Sequence, residues 1–246
     1  MLPLKHFHSV LFPLMILIGC SSQKPSTFSS FITASGDQLV QDDQEFRFVS
    51  FNIPNLHYNE DNMKFTEPNP WRLSNEFEIR DALLSIQQMG GQVARLYTLS
   101  VKSANDRPET PRHILGPGEF NEEAFVVLDK VLQVANEVGV RIIIPFVDNW
   151  SWWGGIAEYA AFREKTRDEF WTDPQLIEDF KQTIEFVVTR KNTFTGVRYS
   201  EDPAILAWET GNELESPMDW TSDIAAYIKS LDSNHLLIDG FHPNLL

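Results

Sequence analysis

Five short apolar runs, separated by stretches with helical spacing, constrain this chain more than any other feature. The runs are Phe46 to Phe51, Gln92 to Tyr97, Val140 to Val147, Ala204 to Trp208 and Leu236 to Asp239, each of strand length. Asn75 opens a helix with Glu78 placed for a capping interaction; Ile79, Leu83 and Ile86 share a face, and Gly90-Gly91 stops it. A second helix follows Asn121 with Phe125, Leu128, Leu132 and Ala135 on one side and ends at Gly139. Asp173-Pro174 reads as an N-cap and first-turn proline, with Ile177, Phe180 and Ile184 facing inward. Trp220, Ile224, Ile228 and Leu231 mark another helix. Alternation of this kind belongs to a parallel sheet covered by helices, an α/β fold. Val140 to Val147, apolar almost throughout, reads as a strand buried on both faces.

The N-terminus has a different character. Lys5, His6 and His8 precede a run from Val10 to Ile18 broken by Pro13, too short to span a bilayer and laid out like a secretory signal. Leu17-Ile18-Gly19-Cys20-Ser21-Ser22 resembles a bacterial lipoprotein cleavage box, which implies an exported chain lipidated on Cys20 and anchored to a membrane rather than spanning it. Ser21 is compatible with the outer membrane. The alternative is an ordinary cleaved signal in which Cys20 is incidental. Ser21 to about Phe31, rich in Ser, Thr, Lys and Pro, reads as a flexible tether. The expected organisation is a signal over 1–19, a tether over 20–31 and one domain over 32–246. Cys20 is the only cysteine, so no disulfide forms within the chain and stability rests on a packed core.

The formal net charge is -15. Such acidity argues against nucleic acid, whose phosphates would be repelled, and against docking on anionic lipid through a basic patch. Membrane contact would run through the lipid anchor only. A neutral polysaccharide is indifferent to the charge.

The run Ala204-Ile-Leu-Ala-Trp-Glu-Thr-Gly-Asn-Glu213 delivers a carboxylate just past the carboxyl end of a strand, where parallel α/β barrels present catalytic groups. With the upstream Thr189-Arg-Lys-Asn-Thr-Phe-Thr-Gly196, Tyr199 and Asp202-Pro203, this string resembles the endo-β-1,4-mannanases of glycoside hydrolase family 5. The resemblance implies a (β/α)8 TIM barrel of which only about the first five βα units are present, and retaining cleavage of internal β-1,4 bonds in mannan. Retention uses two carboxyl groups about 5–5.5 Å apart, one a nucleophile and one an acid that later serves as base. By the same resemblance Glu213 is the acid/base, Asn212 binds the 2-hydroxyl of the cleaved sugar, and Arg95 supports the nucleophile. That nucleophile would lie at the end of a seventh strand and is not present in this chain, which reads as part of a longer enzyme. The plainer alternatives are a solvated loop carboxylate for Glu213 and a structural salt bridge for Arg95. Glu209 reads as a barrel-interior carboxylate rather than the second catalytic group.

Asp148-Asn-Trp-Ser-Trp-Trp-Gly-Gly155 is the richest aromatic cluster, and flat rings with a polar edge suit the C–H faces of sugars. Asn149, Trp150, Gly154 and Gly155 match an Asn-Asn-Trp…Gly-Gly stretch of the resembled family, which implies substrate contact for Asn149 and Trp150. Trp152 and Trp153 read equally as sugar platforms or as core. Asn55 and Trp71 are further sugar-contact candidates near the first barrel loop, and His57 reads as structural. The histidines show no zinc-ligand spacing and no nucleotide-binding glycine loop occurs, so no metal or cofactor is expected. Leu214 after Glu213 departs from the usual Asn-Glu-Pro, which leaves a β-1,4-glucan open as substrate. A non-catalytic glycan-binding lipoprotein and an inactive remnant remain as the other readings.

Overall fold

The computed structural model describes residues 26–60 and 71–242; the expected signal and Cys20 lie outside them. Five strands form one parallel sheet, ordered in space as in sequence: Ser50–Ile53, Val93–Leu96, Arg141–Pro145, Ile205–Glu209 and Leu236–Ile238. Registers such as Asn52↔Arg95, Ile143↔Arg95 and Pro145↔Glu209 bring the strand ends to one level. Helices α1 (Glu76–Gln88), α2 (Glu122–Val138), α3 (Ile156–Ala161), α4 (Pro174–Thr189) and α5 (Met218–Leu231) connect them.

The expected helix signals operate as local chemistry. The Asn75 side chain accepts from the Glu78 amide at 3.1 Å while the Glu78 carboxylate accepts from the Asn75 amide at 2.9 Å. Asp173 accepts from the amides of Gln175 and Leu176. Gly139 ends α2 at φ 85°, a left-handed position that glycine adopts without strain.

Alternation along the strands splits the apolar residues between two sides. Ala94, Leu96, Ile142, Ile144, Ile205 and Trp208 pack under the helices in the main core. Val93, Ile143, Leu206 and Ala207 form a smaller inward cluster with Ile32. Above that cluster the inward positions become polar, at Arg95 and Glu209, and the site is built there.

Two expectations are corrected. The first barrel strand is Ser50–Ile53 rather than Phe46 to Phe51. Phe46 donates its amide to Leu39, in a hairpin below the barrel, and Phe46 and Phe48 pack on the inward cluster from that end. The tether reading fails from Ser26 onward. The Ser26 hydroxyl meets Asn136 Oδ1 at 2.5 Å, and the Thr27 amide and hydroxyl both donate to the Asn136 carbonyl. Arg141 covers the Phe28 ring at 4.2 Å and donates to the Ser30 carbonyl. Small hydroxyls and an aromatic face, which composition reads as linker chemistry, here satisfy buried polar groups at the barrel base.

The Thr189–Gly196 string also has a structural explanation. Arg190 donates through Nε and Nη2 to both oxygens of the fully buried Asp129 and grips Glu122 through Nη1 and Nη2. Tyr199 Oη, the Thr193 amide and the Thr193 hydroxyl donate to Asp129 as well. The string fastens the start of the fourth strand's approach to α2, away from the cleft.

Candidate active site

At the carboxyl ends of the strands, Asn52, Pro54, Arg95, Leu96, Tyr97, Asn212 and Glu213 line a cleft of about 250 Å³. Its floor is an ion pair. Arg95 Nε and Nη2 donate to Glu209 Oε2 and Oε1, both at 2.7 Å, and Nη2 also reaches Asn212 Oδ1 at 3.1 Å. Arg95 therefore has a carboxylate partner within the described chain, where the resemblance implied that it would await an absent nucleophile. Glu209 is held in the structural role expected of it.

Asn212 is buried and bonded through both its backbone and its side chain. Its amide N–H donates to the Val147 carbonyl and its own carbonyl accepts from the Asn149 amide, so the third and fourth strand ends are stitched together. Side-chain Nδ2 donates to Asp148 Oδ1 at 3.0 Å, and Tyr97 Oη donates to Asp148 Oδ2 at 2.7 Å. Burial raises the Asp148 carboxyl above the usual range, the bonds from Asn212 and Tyr97 oppose this, and the Glu213 charge adds to it. Burial and then the Asp148 charge push the Tyr97 hydroxyl up.

Glu213 is exposed and adopts a left-handed backbone, φ 54°, which costs a non-glycine residue energy and re-aims its side chain. Buried Leu214 holds the turn from the far side, its amide donating to Gly240 O and its carbonyl accepting from His242. Gly211 permits the approach, since a Cβ there would collide with the Val147 carbonyl. Trp150 lies half-exposed and donates its indole N–H to Glu213 Oε2 at 2.7 Å.

The remaining aromatic candidates divide. Trp153 is fully buried against His57, Tyr58, Trp71 and Tyr97 and is core. Trp152 is partly exposed and donates to Glu60 at 3.1 Å. Trp71 stacks on Tyr58 with centroids 5.1 Å apart and lies 6.3 Å from Trp152, so it belongs to this wall. Asn149 is buried, its Oδ1 accepting from Arg167 at 2.6 Å, which makes it a loop support as placed. Asn55 is exposed and does not line the cleft; Asn52 does. Tyr97 and Asp148 complete the site without having been singled out. Their available signal was position, since each directly follows a strand-end apolar run.

Residues 158–245 match the family described as GH family 5 beta-mannosidase-like. Mannan endo-1,4-beta-mannosidase 1 of Oryza sativa subsp. japonica is 39% identical over 145 residues, covering 52% of this chain and 34% of the relative. Mannan endo-1,4-beta-mannosidase 3 of Solanum lycopersicum is 31% identical over 252 residues, covering 95% and 57%. Among solved structures, the endo-beta-1,4-mannanase from Thermotoga petrophila aligns with a TM-score of 0.69 at 31% identity, over 80% of this chain and 43% of that one. A glycoside hydrolase family 5 mannosidase from Rhizomucor miehei gives 0.75 at 23% identity, over 88% and 57%, a likeness of fold alone. The fold is thus that of a (β/α)8 barrel, with five strands in the described chain. The chain spans well under two thirds of the length of these relatives.

Proposed function

On the support that family match, relatives and solved structures give to a glycoside hydrolase family 5 mannosidase–mannanase assignment, we propose that this chain carries the acid half of a retaining endo-β-1,4-mannan hydrolase. The observation that carries the reading is the grouping of Glu213, Asn212 and Arg95 at the strand mouths beside Trp150. Glu213 is the carboxylate lining the cleft and is exposed enough to meet a leaving-group oxygen. Asn212 sits beside it for a sugar hydroxyl. Glu209 is read as the ion-pair partner of Arg95 rather than as nucleophile, since it does not line the cleft. The nucleophile of this reading is a carboxylate outside the described residues, about 5–5.5 Å from Glu213 in the assembled site. Export and anchoring through Cys20 form part of the same proposal.

Mannohexaose and cellohexaose offered to the native protein purified from its source cells, with products followed by proton NMR, test it. Release of shorter mannosides with retained anomeric configuration, lost in Glu213→Gln, supports the hydrolase. Mannohexaose binding by that protein without product supports a glycan-binding protein. Preference for cellohexaose moves the substrate to a β-1,4-glucan, and indifference to both removes the glycan assignment. Intact mass of the protein extracted from membranes, with or without acyl groups on Cys20, decides the anchor.

A further inference from the structure

Asp148 is a fully buried ionisable group at the cleft to which the acid/base reading gives no task. Its position is over-determined by backbone. Its carbonyl accepts from the Ile156 amide at 3.0 Å, and the residues on either side of it bond to Asn212, Val147 O to its amide and Asn149 N to its carbonyl. Its two carboxylate oxygens face two different donors, Asn212 Nδ2 at 3.0 Å and Tyr97 Oη at 2.7 Å. A carboxylate offers one acceptor to each at once, whereas an amide has a single oxygen.

The consequence falls on Asn212. An asparagine amide has two ends of similar shape, and a sugar hydroxyl needs to meet the correct one. Here the cation of Arg95 lies on the Oδ1 side at 3.1 Å and the anion of Asp148 on the Nδ2 side. Charge on both sides fixes the amide in one orientation. The second Nδ2 hydrogen has only the long 3.5 Å contact to Tyr97 Oη.

We infer that ionised Asp148 is a positioning residue for glycan recognition, holding Asn212 with its amide nitrogen presented for a sugar hydroxyl. Protonation of Asp148 removes the charge and turns one acceptor oxygen into a donor, so the hold on Asn212 weakens in acid. The charged and titratable groups around the pair are Arg95 and Tyr97 from the second strand end and Glu209 and Glu213 from the fourth. Burial moves the Asp148 transition above the ordinary aspartate range, towards conditions where the protein can be studied folded. The orientation of Asn212 stands independently of hydrolysis; only its use for a sugar rests on the function proposed above.

The test follows the Asn212 side-chain amide by proton–nitrogen NMR as a function of pH, the signal being assigned by its loss in Asn212→Ala. The amide is expected to shift in one transition on acidification, and Asp148→Asn to abolish that transition. Tyr97→Phe removes a bond that stabilises the carboxylate, so its transition moves to higher pH, and this variant serves if Asp148→Asn does not fold. An Asn212 signal that ignores pH, or that titrates unchanged in these variants, overturns the inference. Mannotriose affinity measured alongside separates the two claims. Asp148→Asn is expected to weaken it about tenfold at neutral pH. No mannotriose binding by the native chain, with the NMR transition intact, leaves the positioning standing and removes the sugar.

Discussion

Arg95 and Glu209 bind each other through two parallel hydrogen bonds of 2.7 Å across the third barrel strand, from the second strand to the fourth. Their side chains are 19% and 7% exposed, so both charges are largely withdrawn from water. Inward layers of a barrel come from alternate strands, and this pair is such a layer rendered in charge rather than in apolar volume.

Breaking the pair from one side should therefore be costly. Arg95→Met leaves Glu209 buried without its cation and is expected to lose about 3–5 kcal/mol in urea unfolding. Arg95→Lys keeps the charge but not the two-pronged geometry, and should fall between. The double change Arg95→Met with Glu209→Met should recover most of the loss. A loss under about 1 kcal/mol for Arg95→Met would mean the pair behaves like an exposed one.

Asp129 should prove at least as sensitive. It is fully buried and accepts from Arg190, Tyr199 and Thr193, so Asp129→Ala leaves the guanidinium with only the exposed Glu122 and strands several donors together. The expected cost is again about 3–5 kcal/mol. None of these residues lines the cleft, so oligosaccharide affinity of the folded variant should match the native protein. Calorimetric unfolding and binding, run on the same preparation, separate the two effects.

That cluster also explains what the sequence discloses and what it withholds. Strand and helix positions were legible because period and capping chemistry are local: Asn75 with Glu78, Asp173 before Pro174, Gly139 after α2. The Thr189–Gly196 string carried a family resemblance, yet its residues serve Asp129 from 60 or more positions away, a role no local pattern carries. Glu213, Asn212 and Arg95 were legible as strand-end polar groups on apolar runs. Arg95 was expected to hold an absent nucleophile, although a second charge, Glu209, ends the apolar run two strands away. Ser26 to Phe31 misled because hydroxyls suit a solvated linker and a docked segment equally.

Acid should weaken the fold through His57. The ring is buried, 5.0 Å from His113 and 5.7 Å from Trp153, and neither nitrogen has a well-formed hydrogen bond. Burial lowers its pKa from 6.5 to about 4, offset only in part by the Thr98 backbone. His113 is displaced downward by burial as well, with the charge of Arg112 adding to it. A base with a folded pKa below its unfolded one binds fewer protons when folded, so stability is intact above pH 6.5 and declines between 6.5 and 4. The urea midpoint should therefore fall across that window, and His57→Leu should flatten the fall. Equal slopes in the two proteins would assign the acid sensitivity elsewhere.

Trp150 separates recognition from stability within a single residue. Its ring is 49% exposed, so little apolar area is lost from the core when it is trimmed. Its indole N–H is committed to Glu213 at 2.7 Å, and that exposed carboxylate regains water if the donor disappears. Trp150→Phe keeps an aromatic face but removes the donor, and unfolding free energy should change by no more than about 0.5 kcal/mol. Trp150→Ala removes the face too, and a ring contact worth about 1.4 kcal/mol, within the range of aromatic contacts, corresponds to roughly a tenfold effect. Mannohexaose affinity should therefore fall slightly in Trp150→Phe and about tenfold in Trp150→Ala, with the two melting curves close to native. Trp153→Ala should do the reverse, losing about 3–5 kcal/mol of stability from a ring with no exposed surface. A Trp150→Ala variant that binds mannohexaose as tightly as the native chain would remove Trp150 from the sugar path, and leave it only as a support for the Glu213 side chain.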